Sequence, residues 1–218
     1  MWRYELIQYC IDKYKYKKYL EIGLGKNCVC FQKIKANTKL GVDPYKPDNI
    51  DSIVCKSITY YEMTSNKFLI ENFNVLNDTD IAFIDGLHEY KQVYLECMCL
   101  MKCMPIGGTI LIHDCNPFSE EMATPLAELL KYDRAREPWM GDVWKAIVLL
   151  RHIYPEMNIF VADTDCGIGV IRKSQEFIEK KIPAKIDEKI ASMTYAYLDK
   201  NRNNLLNLKS ISETMVEI

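Results

Sequence analysis

The chain has no long apolar run. No stretch approaches the roughly 20 consecutive apolar residues of a membrane-spanning helix. Its first residues, Met-Trp-Arg-Tyr-Glu, lack the charged-then-apolar order of an export signal, so a cytoplasmic protein is expected. A surplus of charge is also missing. The 28 Lys and Arg stand against 30 Asp and Glu, for a formal net charge of −2, which leaves no electrostatic footprint for nucleic acid. The densest basic run, Lys13-Tyr14-Lys15-Tyr16-Lys17-Lys18, reads as a solvated helix end. Nine cysteines are present, but no pair has the two-residue gap of a zinc knuckle. Cys99 and Cys103 share a helix face and make only a partial soft-metal site. Buried, reduced thiols acting as small hydrophobes are expected instead. Histidine is scarce, with three in the chain.

What the chain has is alternation. At 218 residues and 49% hydrophobic composition it can build one large α/β core. Leu6, Ile7, Cys10, Ile11 and Tyr14 form a helical stripe over residues 1–18. Strands are predicted at 19–23, 40–43, 58–63, 81–85 and 109–114, then at 158–162 and 168–172 as a terminal antiparallel hairpin. Helices are predicted from Asn27 to residue 34 and from Thr64 or Ser65 through Phe73. Another carries Val93, Cys97, Leu100, Met101 and Met104 on one face, and a fourth starts near Asp142. Segment 115–141 has no sustained period, and such a long connection reads as a functional lid. An amphipathic helix (Ile186, Ile190, Met193, Tyr197) and an Asn-rich tail complete a C-terminal extension over 174–218. The prediction is a single doubly wound, mostly parallel seven-stranded sheet with its core at 19–173.

Four carboxylates close strands of this sheet: Glu21, Asp43, Asp85 and Asp114. Open α/β folds bind ligands at that edge. Glu21-Ile22-Gly23-Leu24-Gly25-Lys26-Asn27 has two glycines where a dinucleotide fingerprint has three. No phosphate loop with Gly-Lys-Ser/Thr is present. Asp43 ends the next strand, where such folds place an acid on ribose hydroxyls. A carboxylate accepts two such bonds strongly.

These features resemble the class I S-adenosylmethionine-dependent methyltransferases over roughly residues 19–173. Leu20-Glu21-Ile22-Gly23-Leu24-Gly25 looks like their first motif, and Gly41-Val42-Asp43 like the acidic strand end that holds the ribose. Ile84-Asp85-Gly86-Leu87-His88-Glu89-Tyr90 and Leu111-Ile112-His113-Asp114-Cys115-Asn116-Pro117 look like a subgroup related to macrocin-type and catechol-type O-methyltransferases. Gly141-Asp142-Val143-Trp144-Lys145-Ala146 is similar to a stretch in bacterial members of that subgroup. The resemblance implies a Rossmann-like methyltransferase fold and transfer of a methyl group to a hydroxyl of a saccharide, nucleotide-sugar or tailored metabolite.

Residue by residue, the resemblance puts Glu21, Gly23, Gly25, Asp43 and Asp85 around the cofactor, with Met63, Thr64 and Ser65 near its adenine. Asp85 and Asp114 fall on metal ligands, and Mg²⁺ is the implied ion. The pattern departs at Cys115, where an oxygen ligand is expected; Asn116 or water would then serve. His88 falls where the catechol-type enzymes keep a catalytic lysine, and an imidazole suits a general base. His113 is expected to alternate away from Asp114, as a pocket or structural residue, and His152 to be structural. Arg134, Arg136, Trp139, Asp142 and Lys145 are acceptor candidates, with Trp144 either stacking on the acceptor or packing in the core. The C-terminal helix is a candidate dimer contact. Two rivals remain: a nicotinamide-dependent enzyme on a similar sheet, and a non-catalytic binding protein, for which Cys115 is the best sequence argument.

Overall fold

The computed structural model describes residues 1–129 and 139–218. The elements run α1 (Arg3–Tyr14), β1 (Lys18–Ile22), α2 (Val29–Lys33), β2 (Thr38–Asp43), β3 (Ile58–Glu62), α3 (Ser65–Glu71), α4 (Phe73–Leu76), β4 (Ile81–Ile84), α5 (Tyr90–Cys103) and β5 (Thr109–Ile112). They continue with α6 (Leu126–Leu129), α7 (Trp144–Ile153), β6 (Ile159–Ala162), β7 (Ile168–Arg172), α8 (Ala184–Ala191), α9 (Tyr195–Leu206), β8 (Leu208–Lys209) and α10 (Ile211–Glu217). The strand order is β3-β2-β1-β4-β5-β7-β6-β8. From β3 through β5 every pairing is parallel, while β7 is antiparallel to both β5 and β6.

Strand periodicity sorts the side chains onto two cores. Leu20, Leu40, Ala82, Ile84, Ile110 and Ile112 pack under α5 and α7, together with Val93, Cys97, Leu100 and Trp144. Their alternates Tyr19, Ile81, Phe83 and Leu111 pack under α1 and α2, with Leu6, Ile7, Cys10 and Phe31. Burial on both faces explains why these strands read as nearly continuous apolar runs. The chain winds outward from β1 through β2 to β3, then returns to place β4 on the other side of β1. That reversal opens a crevice at the carboxyl ends of β1 and β4.

Three expectations differ from the fold. An eighth strand, β8, joins β6 in parallel through Val161 and Ala162. The C-terminal amphipathic helix is broken in two, because the Thr194 side chain accepts from Tyr197 N and starts α9 afresh. The Asn-rich segment is that helix, anchored by buried Leu198 and Leu206 and ended by Asn207 in the left-handed region at φ 48°. Helix α2 is shorter than predicted, starting at Val29 rather than near Asn27. All nine cysteines are free, and Cys10, Cys28, Cys30, Cys97 and Cys115 are buried. Among the described residues no helix is long and apolar enough to cross a membrane.

Phe83 is fully buried between the sheet and α1, whereas Ile70 is 79% exposed. Phe83→Ala is expected to cost about 3–5 kcal/mol of stability, and Ile70→Ala to stay within about 0.5 kcal/mol of wild type. Chemical denaturation of both variants checks this.

Candidate active site

The turn after β1 forms one wall of the crevice. Gly23 sits at φ +85°, and a Cβ there would lie 2.1 Å from the Asp85 carbonyl oxygen. Only glycine lets the ends of β1 and β4 close to this distance. Asp43 fixes the turn's far side. Its Oδ2 accepts from Leu24 N at 2.9 Å and Gly25 N at 3.2 Å, and its Oδ1 from Tyr45 N at 2.8 Å.

Next to this turn lies a cavity of about 460 Å³ lined by Gly23, Gly25, Asp43, Thr64, Ser65 and Asp85, along with Gln92. It is largely apolar with a few convergent polar groups, the character of a cofactor site. Of the expected cofactor residues, Met63 is absent from this lining. It packs on the core and faces Asn72 Nδ2 at 4.0 Å. Glu21 lines a second cavity of about 750 Å³ that shares Gly23, Gly25 and Asp85 with the first and adds Trp2, Arg3 and His88.

Behind Ser65 stands a group the sequence reading missed. Ser65 Oγ donates to Glu96 Oε1 at 2.5 Å, Gln92 Nε2 donates to the same oxygen at 2.9 Å, and Glu96 Oε2 is buried without a hydrogen-bond partner. Burial raises the Glu96 pKa, against the hydrogen bonds from Ser65 and Gln92. The signal in the sequence is the i, i+4 spacing of Gln92 and Glu96 on α5.

A cluster of charged groups closes the other side of Asp85. His88 Nε2 lies 3.2 Å from Asp114 Oδ2 and 3.6 Å from Asp85 Oδ1. Its Nδ1 is 2.9 Å from the Trp139 carbonyl oxygen. A carbonyl can only accept, so Nδ1 carries the proton and Nε2 faces the carboxylates. Burial would lower the His88 pKa, but Asp85 and Asp114 outweigh it and raise it. Gly141, at φ +61°, would place a Cβ 1.9 Å from the His88 carbonyl oxygen, so the loop bearing His88 rests directly on the end of the insert.

His113 joins this cluster, contrary to expectation. Its Nδ1 is 3.0 Å from Asp114 Oδ1 and 3.2 Å from Asp85 Oδ1. The alternation rule fails because Asp114 leaves the extended region, at φ 61°. The carboxylates of Asp114, Asp165 and Asp85 raise the His113 pKa against the opposing effect of burial. Arg3 Nη1 also lies against the ring, 2.7 Å from Nε2 and 2.9 Å from Nδ1. Asp85 is held below the usual carboxylate range. Burial would raise it, but the hydrogen bonds from His113 and His88 and the charge of Arg3 prevail.

The donors of Asp85, His113 and Asp114 all lie within 4.8 Å of one another. Two carboxylates suit a Mg²⁺ ion that keeps several waters. Cys115 takes no part. Its Sγ turns toward the Ile112 and His113 carbonyls inside the core, and burial raises its pKa. The thiol acts as a small hydrophobe there. Asn116 is engaged elsewhere, its Nδ2 donating to Asp163 Oδ1 at 3.0 Å and its Oδ1 accepting from Arg202.

Of the acceptor candidates, Trp139 stands beside His88 with ring centroids 5.1 Å apart. Asp142 and Lys145 form a buried pair that ties α7 to Tyr90 N and the Ala191 carbonyl. Trp144 is in the core, and His152 is exposed at the end of α7. Arg134 and Arg136 lie outside the described residues. Arg3 and Asp165 were not foreseen, because only the fold brings residues 3, 85 and 165 together.

Residues 20–115 match a family described as a methyltransferase domain. No curated protein matches the chain. The solved structure of the MycE methyltransferase from the mycinamycin biosynthetic pathway, in complex with Mg and SAH, is similar with a TM-score of 0.53 at 17% identity. That match covers 83% of this chain and 51% of MycE, so the chain spans about half of that protein's length. The O-methyltransferase TomG of Streptomyces achromogenes, solved with SAM, gives a TM-score of 0.51 at 8% identity, covering 79% of this chain and 80% of TomG. The SAH-bound methyltransferase PaMTH1 of Podospora anserina gives 0.50 at 14% identity, covering 79% and 78%. The chain thus has the Rossmann-like fold of the S-adenosylmethionine-dependent methyltransferases.

Glu21 supplies a test of the crevice. Burial pushes its pKa from 4.5 to about 8, against the Tyr19 hydrogen bond, and nearby Asp85 pushes the same way. The folded chain then holds a proton that the unfolded chain releases above about pH 4.5. This contribution to stability is present below that pH and is lost as the pH rises to about 8. Glu21→Gln is expected to gain stability relative to wild type progressively from pH 5 to pH 8, as read by urea denaturation across that range.

Proposed function

We propose that the chain is an S-adenosylmethionine-dependent O-methyltransferase acting on a hydroxylated small molecule. The observation that carries this reading is the sharing of Gly23, Gly25 and Asp85 by two adjoining cavities. A cofactor in the smaller one would present its reactive end to the larger one, where His88 stands. When bound, the cofactor would supply a sulfonium methyl carbon to which the acceptor oxygen bonds in line, the carbon–sulfur bond breaking to leave S-adenosylhomocysteine as a neutral thioether.

The chain's own residues do the rest. Asp43 and the glycine turn hold the ribose side, while Thr64, Ser65 and Gln92 line the region assigned to adenine. His88 Nε2, with its other nitrogen held by Trp139, takes the acceptor's proton once it is unprotonated, an effect worth about 10²–10⁴-fold. Positioning of the two reactants contributes more, on the order of 7–11 kcal/mol in well-oriented cases. Asp85 and Asp114 would hold a divalent ion, which would lower the hydroxyl's pKa. The acceptor is proposed to be a saccharide, nucleotide-sugar or tailored metabolite. Two similar structures point this way: MycE was solved with mycinamycin VI, and TomG is involved in tomaymycin synthesis. Nine free thiols suit a reducing cytoplasm.

S-adenosylhomocysteine is expected to raise the melting temperature, and NAD to leave it unchanged. Stabilisation by NAD alone would overturn the reading. Asp43→Asn is expected to weaken S-adenosylhomocysteine binding about 10–100-fold, the scale of lost charged hydrogen bonds. With an acceptor found by screening hydroxylated metabolites against labelled S-adenosylmethionine, His88→Gln should lower kcat about 10²–10⁴-fold. Its S-adenosylhomocysteine affinity, measured by calorimetry, should stay within twofold of wild type.

A further inference from the structure

Arg3 opens α1, yet its side chain ends in the reaction cluster, 82 positions from Asp85. Nη1 lies 3.2 Å from Asp85 Oδ2 and 2.7 Å from His113 Nε2, and Nε lies 3.5 Å from Asp165 Oδ2. The Arg3 backbone N–H donates to that same Asp165 oxygen at 2.7 Å. Thr164, on the same hairpin turn, donates to the Met1 carbonyl oxygen. Side chain and main chain are therefore fixed by one carboxylate. The guanidinium is placed by the docking of α1, not by a long side chain that happens to reach.

Three carboxylates meet here with side-chain exposures of 21% for Asp85, 7% for Asp114 and 5% for Asp165. Buried negative charge of this kind requires a positive partner. Among the described residues Arg3 is the arginine or lysine paired with Asp85 and Asp165. Both Asp85 oxygens face positive or donor groups: Oδ2 faces Arg3, and Oδ1 faces His113 and His88. A divalent ion would have to approach a carboxylate oxygen at about 2.0–2.1 Å, closer than any of these donors. In a half-enclosed site, a dication beside a guanidinium is strongly disfavoured.

We propose that Arg3 is the resident cation of the Asp85–Asp114–Asp165 cluster. A divalent ion reaches Asp85 only by displacing it, so metal occupancy and the docked start of α1 exclude each other. Arg3 is thus a positioning residue that couples the N-terminal helix to the ionic state of the site. The inference rests on the methyl-transfer reading for the role of the cluster, though the competition itself depends only on the geometry.

The test is a Mn²⁺ titration followed by electron paramagnetic resonance, on wild type, Arg3→Gln and Arg3→Lys. Arg3→Gln is expected to bind Mn²⁺ at least tenfold more tightly than wild type, while Arg3→Lys, which keeps the charge, stays within about threefold. A purely structural role for Arg3 predicts the reverse, since a loosened site binds metal worse. Hydrogen exchange on unmodified protein gives a second readout that needs no variant. Saturating Mg²⁺ is expected to speed exchange of the amides of Arg3, Glu5 and Leu6, which bond to Asp165 and Trp2 in the docked state. Equal Mn²⁺ affinity in wild type and Arg3→Gln, no Mn²⁺ binding by either, or unchanged exchange at saturating Mg²⁺ would each overturn the proposal. S-adenosylhomocysteine binding, measured in the same samples, reports separately on the methyl-transfer reading.

Discussion

The contact between Gly23 and the backbone of Asp85 fixes everything at the sheet edge. β1 and β4 are neighbours in the sheet but distant in sequence, and their carboxyl ends must converge for one residue to serve both cavities. At residue 23 there is no room for even a methyl group. The Asp43 carboxylate holds the same turn from the opposite side through two backbone N–H groups. Clamped this way, the turn lines both cavities through Gly23 and Gly25.

The cluster beyond Asp85 illustrates how a crowded set of acids is kept tolerable. Every carboxylate has a donor at hydrogen-bond or ion-pair distance, and those donors come from three separate parts of the chain: the start of α1, the loop after β4 and the end of β5. Such an arrangement holds its members in place only when all of them are satisfied. The left-handed backbone at Asp114 is the local strain that brings His113 and its neighbour to the same ion cluster.

The strand-and-helix frame was legible because burial on both faces leaves long apolar runs that end in turn residues. The carboxyl-edge positions of Asp43, Asp85 and Asp114, and the stripe on α5, followed from the same patterns. Three parts of the site were hidden. His113 was sent the wrong way by the two-residue period, which holds only while the backbone stays extended. Arg3 and Asp165 carry no local pattern, and their meeting is a product of tertiary packing. The inward direction of the Cys115 thiol was hidden too, because a side chain's chemistry is visible in the sequence and its orientation is not. The split of the C-terminal helix at Thr194 was missed because a threonine inside an amphipathic stripe looks like any other polar residue until it caps.

The imidazole of His88 is oriented by a main-chain oxygen at residue 139, near the end of an otherwise patternless insert. A carbonyl group is common to all twenty amino acids. A substitution at residue 139 can therefore change the side chain while the same lone pair keeps the ring's tautomer. The orientation of the imidazole is thereby uncoupled from the identity of the residue that fixes it, so sequence drift at position 139 leaves the ring's setting intact.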